Sequence, residues 1–417
     1  MSQVKVVIHS APWVLPISRP PIREGAIALF EGRIVGVGHG QDLRLKFPGH
    51  EFRFHPDSIL VPSFVNAHCH LELSPLKWRL TPTASLTSWV KELVKARSTI
   101  GAEEWVPAIK EAINELVEGG TLVVGDVGNT GLVPSIMMEE ADDWPLAGIH
   151  FLEIIQPEMP SDGDPELTIM NEEAPLIERA FPMEITLSPH GVHTVHASIL
   201  SAIKKRAQER GLPFTLHVAE SPEEMEFLIR GEGPMLELLQ HHGRDTSRLS
   251  IPNKGPVHFL EELDLLDQKS LLVHCVQLSD DELDIIKKKG ANICLCPRSN
   301  TFLGVGEPPL QDMVRRGINC AIGTDSLASN DKLDIFSEMT ALKRIAPEVP
   351  SGTILKMATL GGAKALGLES RFGSLEIGRC SPVVALQLPH NPHSAKDVEE
   401  AIVTSGTRHA FQIEIIR

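Results

Sequence analysis

Eight short apolar segments alternate with helix-like stretches along the chain, and this alternation restricts the fold more than any other feature of the sequence. The segments are rich in aliphatic and β-branched residues, as buried strands are. Strands separated by helices pair in parallel, and eight of them are typical of a TIM barrel. We therefore predict an α/β protein with a (β/α)₈ barrel whose strands lie at 59–65, 121–126, 146–155, 183–187, 213–217, 270–274, 291–296 and 318–323. Helical patterns lie between these strands, among them 104–118, 197–210, 280–289 and 334–345.

Both ends of the chain contain shorter strand-like segments. Residues 25–30 and 34–38 are joined by the turn sequence Glu31-Gly32-Arg33, and 373–378 and 382–386 have a similar composition. Chain termini often lie close together, so we expect one small β-sandwich domain built from both ends. The predicted division is 1–58 and 373–417 for that domain and 59–372 for the catalytic barrel. An acidic, proline-containing stretch at 156–175 is expected to form an exposed loop.

The composition limits the partners of the protein. Of its 417 residues, 42% are hydrophobic and 23% are charged, and the formal net charge is -16. Such a charge argues against binding to nucleic acid or to an anionic membrane surface, so we expect a small-molecule substrate. We expect no signal peptide and no membrane span, because the first 17 residues lack a continuous apolar core and no apolar run reaches membrane-spanning length. The six cysteines lack disulfide spacing. We expect a cytoplasmic protein, and a homodimer is left open.

His68 and His70 stand at the end of the first predicted strand. Residues two apart on a strand point to the same side, so both imidazoles project together while Cys69 turns away. Two adjacent imidazoles at the end of a buried strand suit one divalent metal ion. On its own, such a pair is more often two hydrogen-bonded framework residues. The metal interpretation depends on the other strand ends.

Further polar residues follow the later strands. The candidates are His190 after the fourth strand, His217 and Glu220 after the fifth, His274 after the sixth and Asp325 after the eighth. Each is unremarkable alone, since strand-end histidines are usually hydrogen-bonded and Thr-Asp-Ser is usually a turn. Barrel strands end on one face, so these imidazoles and carboxylates are expected to converge there. Metal-assisted hydrolysis explains such a set of side chains.

In this order, the motifs resemble those of the amidohydrolase superfamily, in its branch of cytosine deaminases, chlorohydrolases and S-adenosylhomocysteine deaminases. The resemblance covers essentially the whole chain. It rests on VPSFVNAHCH at 61–70, HVAE at 217–220, LVHC at 272–275, CPRSN at 296–300 and GTDSLASN at 323–330.

The resemblance implies a role for each strand-end residue. One divalent metal ion would be held by His68, His70, His217 and Asp325, with Zn²⁺ favoured and Fe²⁺ or Mn²⁺ also compatible with these ligands. Glu220 would shuttle protons, His274 would orient the attacking water, Asp325 would accept its proton and His190 would contact the substrate. Two-metal relatives carry a carboxylated lysine after the fourth strand. This chain has Ser188-Pro189-His190 there, which favours a single metal ion.

Within the branch, the chain most resembles aminodeoxyfutalosine deaminases of the alternative menaquinone pathway. The motifs are HLELS at 70–74 followed by Trp89, SPH at 188–190, GEGP at 231–234 and CPRSN at 296–300. This resemblance implies hydrolysis of the 6-amino group of an adenine nucleoside. Gln277 departs from the pattern, because many relatives have a second histidine there.

Three further residues are candidates for substrate contacts. Glu72 has the chemistry to bind a ribose, Arg298 to bind a carboxylate and Trp89 to stack on an aromatic ring. Each also has a structural alternative: a strand-end salt bridge for Glu72, an ion pair for Arg298 and simple packing for Trp89.

Two other functions remain open. One is a different hydrolase of the same branch, acting on adenosine, S-adenosylhomocysteine, cytosine, guanine, a chlorinated triazine or a cyclic amide. The other is a metal-binding homologue without catalysis. The second is disfavoured because Glu220 and His274 are retained, and a structural metal site would need neither.

Overall fold

The computed structural model describes residues 6–139, 145–159, 163–166, 169, 183–244, 246, 249, 251–380, 382–388 and 392–416. Its strands are β1 Val7–Val14, β2 Ile22–Phe30, β3 Arg33–His39, β4 Glu51–Phe54, β5 Ser58–Pro62, β6 Phe64–His70, β7 Thr121–Gly128, β8 Ala147–Ile154, β9 Glu184–Pro189, β10 Phe214–Val218, β11 Ser270–His274, β12 Asn292–Leu295, β13 Asn319–Ile322, β14 Asp325–Ser326, β15 Val383–Gln387 and β16 Gln412–Ile416.

Helices cover most connections between the strands. The α-helices are Gly40–Lys46, Leu86–Arg97, Ala102–Glu118, Leu132–Glu139, Ala197–Arg210, Pro222–Arg230, Pro234–His241, Pro256–Glu262, Asp280–Lys289, Pro297–Leu303, Leu310–Arg316, Ile335–Ile345, Ser351–Lys356, Gly362–Ala365 and Ala395–Val403. Short 3₁₀ turns occur at Leu71–Leu76 and Arg408–Ala410, and a π-helical turn at Met357–Gly361. No helix among the described residues is long and apolar enough to cross a membrane.

Two parallel sheets form the barrel. One runs in the order β14-β6-β7-β8-β9 and the other in the order β10-β11-β12-β13. They meet where the His217 N–H donates to the His190 carbonyl at 2.8 Å and where the Thr324 N–H donates to the His68 carbonyl at 3.1 Å. The prediction of an α/β barrel is confirmed, and the carboxyl ends of its strands share one face.

From the second barrel strand onward, the predicted strands agree with the observed ones to within two residues at each end. The first prediction is wrong in its extent, because the run 59–65 is divided at Ser63. Strand β5 belongs to the terminal sheet, where it pairs with β1 and β15, and β6 alone enters the barrel. Every residue of β5 and β6 is buried, so apolar character could not separate the two strands.

The terminal sheet contains strands from both ends of the chain, in the order β16-β15-β5-β1-β2-β3, with β4 beside β1. The predicted hairpin is present as β2 and β3. The strand expected at 373–378 is absent, because this described segment forms bends and turns. Gly373 and Gly378 adopt φ values of +81° and +94°, which take the backbone out of extended structure.

The domain boundaries stay a prediction, and most of the expected loop at 156–175 lies outside the described residues.

Free cysteines are built into this fold. Five of them, Cys69, Cys275, Cys294, Cys296 and Cys320, are buried, and Cys380 is partly exposed. Burial raises the pKa of the Cys69 and Cys275 thiols well above the ordinary value, so both stay protonated. These buried residues behave as small apolar side chains.

Gly148 gives a test of how tightly the barrel is packed. It has a φ of +150°, and a Cβ atom there would lie 1.9 Å from the Val124 carbonyl oxygen of β7. We expect Gly148→Ala to lower the free energy of unfolding by about 3 kcal/mol or more, measured from the denaturant midpoint. Gly38→Ala is the matched control, because its Cβ would meet no atom within 4 Å. Equal midpoints for the two variants would contradict this description of the barrel.

Candidate active site

Three histidines and one aspartate meet at the carboxyl ends of the barrel strands. His68 and His70 end β6, His217 lies on β10 and Asp325 opens β14, and all four are buried. One nitrogen from each histidine lies within 4.8 Å of the others. Asp325 Oδ1 is 3.6 Å from His70 Nε2 and 3.9 Å from His68 Nε2. These separations are too long for good hydrogen bonds, but they suit four atoms that share one ion at about 2.0–2.2 Å.

Hydrogen bonds on the sides of His217 and Asp325 that face away from the cluster orient these two side chains. His217 Nδ1 lies 2.8 Å from the His190 carbonyl oxygen and donates to it, which leaves the Nε2 lone pair free for the cluster. Asp325 Oδ2 accepts from Ser299 Oγ at 2.5 Å and from Ser329 Oγ at 2.8 Å. Its other oxygen, Oδ1, remains on the side of the histidines.

The protonation of the histidines fits metal binding. Burial, together with the neighbouring imidazoles, lowers the pKa of His68 well below its ordinary value and that of His217 to about 3. Both rings are therefore neutral and keep a lone pair for a metal ion. Among the described residues, neither ring nitrogen of buried His68 has a hydrogen-bond partner. A buried nitrogen without a partner is costly, and coordination to an ion removes that cost. The donor set thus fits one divalent metal ion.

Glu220 and His274 form a second pair beside this cluster. Glu220 Oε1 is 3.6 Å from His274 Nε2, and both residues are buried. His274 Nδ1 lies 2.9 Å from the side-chain oxygen of Asn300, which fixes the orientation of the ring. Burial raises the pKa of Glu220. Burial alone would lower the pKa of His274, but the Glu220 and Asp325 carboxylates outweigh it and raise that pKa. The pair is suited to holding and transferring a proton.

The strand ends that carry these groups turn sharply. Ala219, His274, Cys275 and Asp325 have φ values of +51°, +70°, +53° and +57°. Residues other than glycine rarely adopt this left-handed conformation, and it clusters at functional sites. The turns bring both catalytic candidates and the Asp325 ligand into the mouth of the barrel.

Of the predicted substrate-contact residues, His190 lies inside the cluster. Its ring centroid is 4.8 Å from that of His217, and its Nδ1 pairs with Thr194 Oγ1 at 2.8 Å. Trp89 is buried, and its indole N–H donates to the Ala328 carbonyl at 3.4 Å. Both side chains are therefore held in place by protein partners, and their contact with a substrate stays a prediction.

Glu72 and Arg298 are bound by residues outside the cluster. Glu72 Oε2 accepts three hydrogen bonds, from the backbone of Asn129 and from the backbone and hydroxyl of Thr130, and its Oε1 is 3.4 Å from Arg97. Arg298 forms an ion pair with Asp331. These are the structural alternatives that the sequence left open, and a substrate contact by either residue stays a prediction.

Glu153, at the end of β8, is a candidate that sequence reasoning missed. A carboxylate oxygen of Glu153 lies within 4.8 Å of nitrogens of His190 and His217. Its Oε1 atom is buried without a hydrogen-bond partner among the described residues, and burial raises its pKa to about 7. His217 has one free lone pair, so this trio cannot hold a second ion beside the first. The strand-end position of Glu153 was the available signal.

Asp126 was also missed. This buried residue of β7 accepts the Leu71 N–H on Oδ1 at 2.9 Å, and its Oδ2 lies 2.7 Å from His150 Nδ1. Leu71 follows His70 directly, so the buried pair fixes the backbone beside His70. Asp126 ends the predicted second strand, where the strand-end criterion applied to the histidines would have selected it.

Comparisons with known proteins identify the family of the chain. The sequence profile of the Amidohydrolase family matches residues 59–407. A 5-methylthioadenosine/S-adenosylhomocysteine deaminase of Nitratidesulfovibrio vulgaris is 29% identical over 418 residues, covering 96% of this chain and 87% of that protein. An aminodeoxyfutalosine deaminase of Deinococcus radiodurans is 27% identical over 361 residues, covering 84% of this chain and 82% of that protein.

A solved structure gives the same fold. An adenosine deaminase from Xanthomonas campestris with bound zinc matches with a TM-score of 0.80 at 25% identity, covering 98% of this chain and 91% of that chain. The family profile spans the barrel from its first strand to the C-terminal region, and the structural match covers nearly the whole chain. The chain belongs to the amidohydrolase family, which confirms the resemblance drawn from its strand-end motifs.

Proposed function

We propose that this protein is a metal-dependent hydrolytic deaminase of an adenine nucleoside, with aminodeoxyfutalosine as the leading substrate. The observation that carries the proposal is the buried Glu220–His274 pair beside the ligands His68, His70, His217 and Asp325. The names of the relatives in Nitratidesulfovibrio vulgaris and Deinococcus radiodurans support adenosine-like substrates.

The residues have distinct tasks in this reaction. A divalent metal ion lowers the pKa of water and supplies a nucleophile at neutral pH. Asp325 takes the proton from the attacking water. Glu220, whose pKa is raised by burial, gives a proton to the ring nitrogen as oxygen adds to the neighbouring amidine carbon. Asp325 then passes the proton it took to the amino group, which leaves the tetrahedral carbon as ammonia, while the added hydroxyl returns a proton to Glu220 and becomes the carbonyl of the product. His274 holds the attacking oxygen in position.

We favour Zn²⁺ as the ion, because three imidazoles and one carboxylate are typical zinc ligands. Fe²⁺ and Mn²⁺ accept the same donors.

We further propose His190, Glu72, Trp89 and Arg298 as substrate contacts, with His190 the best placed of them because it adjoins His217. The buried thiols support a reducing compartment, such as the cytoplasm.

The purified protein is expected to contain about one divalent metal ion per chain. His68→Ala and Asp325→Ala each remove a ligand, so both variants should lose the ion. His9→Ala is the control, since His9 is a buried histidine of the terminal sheet, outside the cluster. Elemental analysis measures the result, and full metal content in both ligand variants would contradict the assignment.

Glu220→Gln should keep the metal ion and lose about 10²–10⁴-fold in kcat. Glutamine has nearly the same size but cannot transfer the proton, so chemistry fails while binding remains. Steady-state kinetics together with elemental analysis measure both properties. A kcat near that of the unaltered enzyme would remove Glu220 from the mechanism.

Substrate identity is tested by ammonia release from adenosine, 5′-methylthioadenosine, S-adenosylhomocysteine and aminodeoxyfutalosine, with cytosine, guanine and a chlorinated triazine as comparisons. We expect the highest kcat/KM with aminodeoxyfutalosine, seen also as conversion of the adenine absorbance to that of hypoxanthine. The Glu220→Gln variant controls for contaminating activity. Efficient turnover of cytosine or guanine with no turnover of any adenine nucleoside would overturn the proposal.

A further inference from the structure

Two helices of the barrel begin with the same sequence pattern, Ser-x-x-Glu. In both, the serine hydroxyl caps the helix by accepting the glutamate N–H: Ser221 from Glu224 at 3.1 Å, and Ser279 from Glu282 at 3.4 Å. Both glutamates are buried, with exposed fractions of 0% and 2%. The pattern predicts a reciprocal bond in which each carboxylate accepts the backbone N–H of its own serine.

Only one of the two glutamates makes that reciprocal bond. Glu282 Oε2 accepts from the Ser279 N–H at 3.1 Å and from its hydroxyl at 2.9 Å. Glu224 instead binds backbone N–H groups of residues that precede its own serine. Its Oε1 accepts the Ala219 N–H at 3.1 Å, and its Oε2 accepts the Glu220 N–H at 2.7 Å. The Glu224 carboxylate is thus bound to the backbone that carries Glu220.

That backbone is fixed from its other side as well. The Ala219 carbonyl accepts the N–H groups of Val276 and Gln277, at 2.9 and 2.8 Å. Ala219 has a φ of +51°, a strained conformation that persists only where the surroundings hold it. The hydrogen bonds on both sides of Ala219 stabilise this strained conformation, and they set the direction in which the Glu220 side chain leaves the strand.

We propose that Glu224 is a positioning residue, which holds Glu220 at its distance from His274 by binding the two N–H groups before the helix. This inference rests on the proposed function, in which Glu220 transfers the proton. Without the carboxylate, two buried N–H groups lose their acceptors and Ala219 is free to relax. A displacement of about 1 Å in a reacting group can cost about 10²-fold in rate.

The first test compares Glu224→Gln with Glu282→Gln. Glutamine keeps the size of the side chain, but it has one acceptor oxygen and turns an NH₂ group toward the second N–H. We expect Glu224→Gln to lose about 10–10²-fold in kcat with KM and metal content unchanged. Glu282→Gln removes an equally buried capping carboxylate away from Glu220, so its kcat should equal that of the unaltered enzyme. Equal kcat values for the two variants would overturn the inference.

A double-mutant cycle with Glu220→Gln tests whether Glu224 acts through Glu220. If it does, adding Glu224→Gln to Glu220→Gln lowers kcat little further, whereas independent losses would multiply. Multiplying losses would reject a positioning role. Glu224→Asp, which keeps the charge but shortens the side chain, replaces Glu224→Gln in both comparisons if that variant does not fold.

The two proposals fail in different ways. If no adenine nucleoside is turned over, the proposed function is wrong, and if Glu220→Gln keeps full activity, the proton-transfer role of Glu220 is wrong. If Glu220→Gln is impaired but Glu224→Gln behaves like Glu282→Gln, only the positioning role is wrong.

Discussion

Barrel closure is the constraint on which the rest of this structure depends. The two parallel sheets are joined by N–H groups that donate to the carbonyls of His190 and His68. His68 is one of the proposed metal ligands, and His190 adjoins another, His217. The bonds that complete the barrel therefore also fix the distances between strands that supply the ligands. Because buried imidazole nitrogens without hydrogen-bond partners are costly, such a cluster forms only where a rigid framework holds it.

His217, His274 and Asp325 each have one side bound to the protein and one side free for chemistry. This division determines tautomers and lone pairs without direct contact between the scaffold and the substrate. The groups that orient His217, His274 and Asp325 are a carbonyl, an amide and two hydroxyls, which add no charge beside the proposed metal site. The backbone of Glu220 is instead bound by a carboxylate, that of Glu224. The pairs are His217 with the His190 carbonyl, His274 with Asn300, Asp325 with Ser299 and Ser329, and Glu220 with Glu224 through its backbone N–H.

The sequence predicted the barrel and the proximity of its strand-end side chains because both follow from local patterns. Apolar runs mark strands, and parallel strands must end on one face. The sequence-based prediction failed where one sequence pattern is compatible with two different structures. The run 59–65 contributes apolar residues to both the terminal sheet and the barrel, so its composition did not indicate the division at Ser63. Glu153 was missed because one acidic residue at a strand end resembles any exposed carboxylate until its neighbours are known.

The pair Glu224 and Glu282 shows the same limit at atomic scale. Both helices begin with Ser-x-x-Glu, yet the carboxylates bind different N–H groups. The difference follows from the backbone before each serine. Two residues before Ser279, the Gln277 N–H already donates to the Ala219 carbonyl, so it is not free for Glu282, which binds its own cap. The left-handed turn at Ala219 instead presents two N–H groups to Glu224. The folded barrel determines which backbone groups remain free. The same motif therefore binds the backbone of Glu220, the proposed proton-transfer residue, after one strand and only caps a helix after the next.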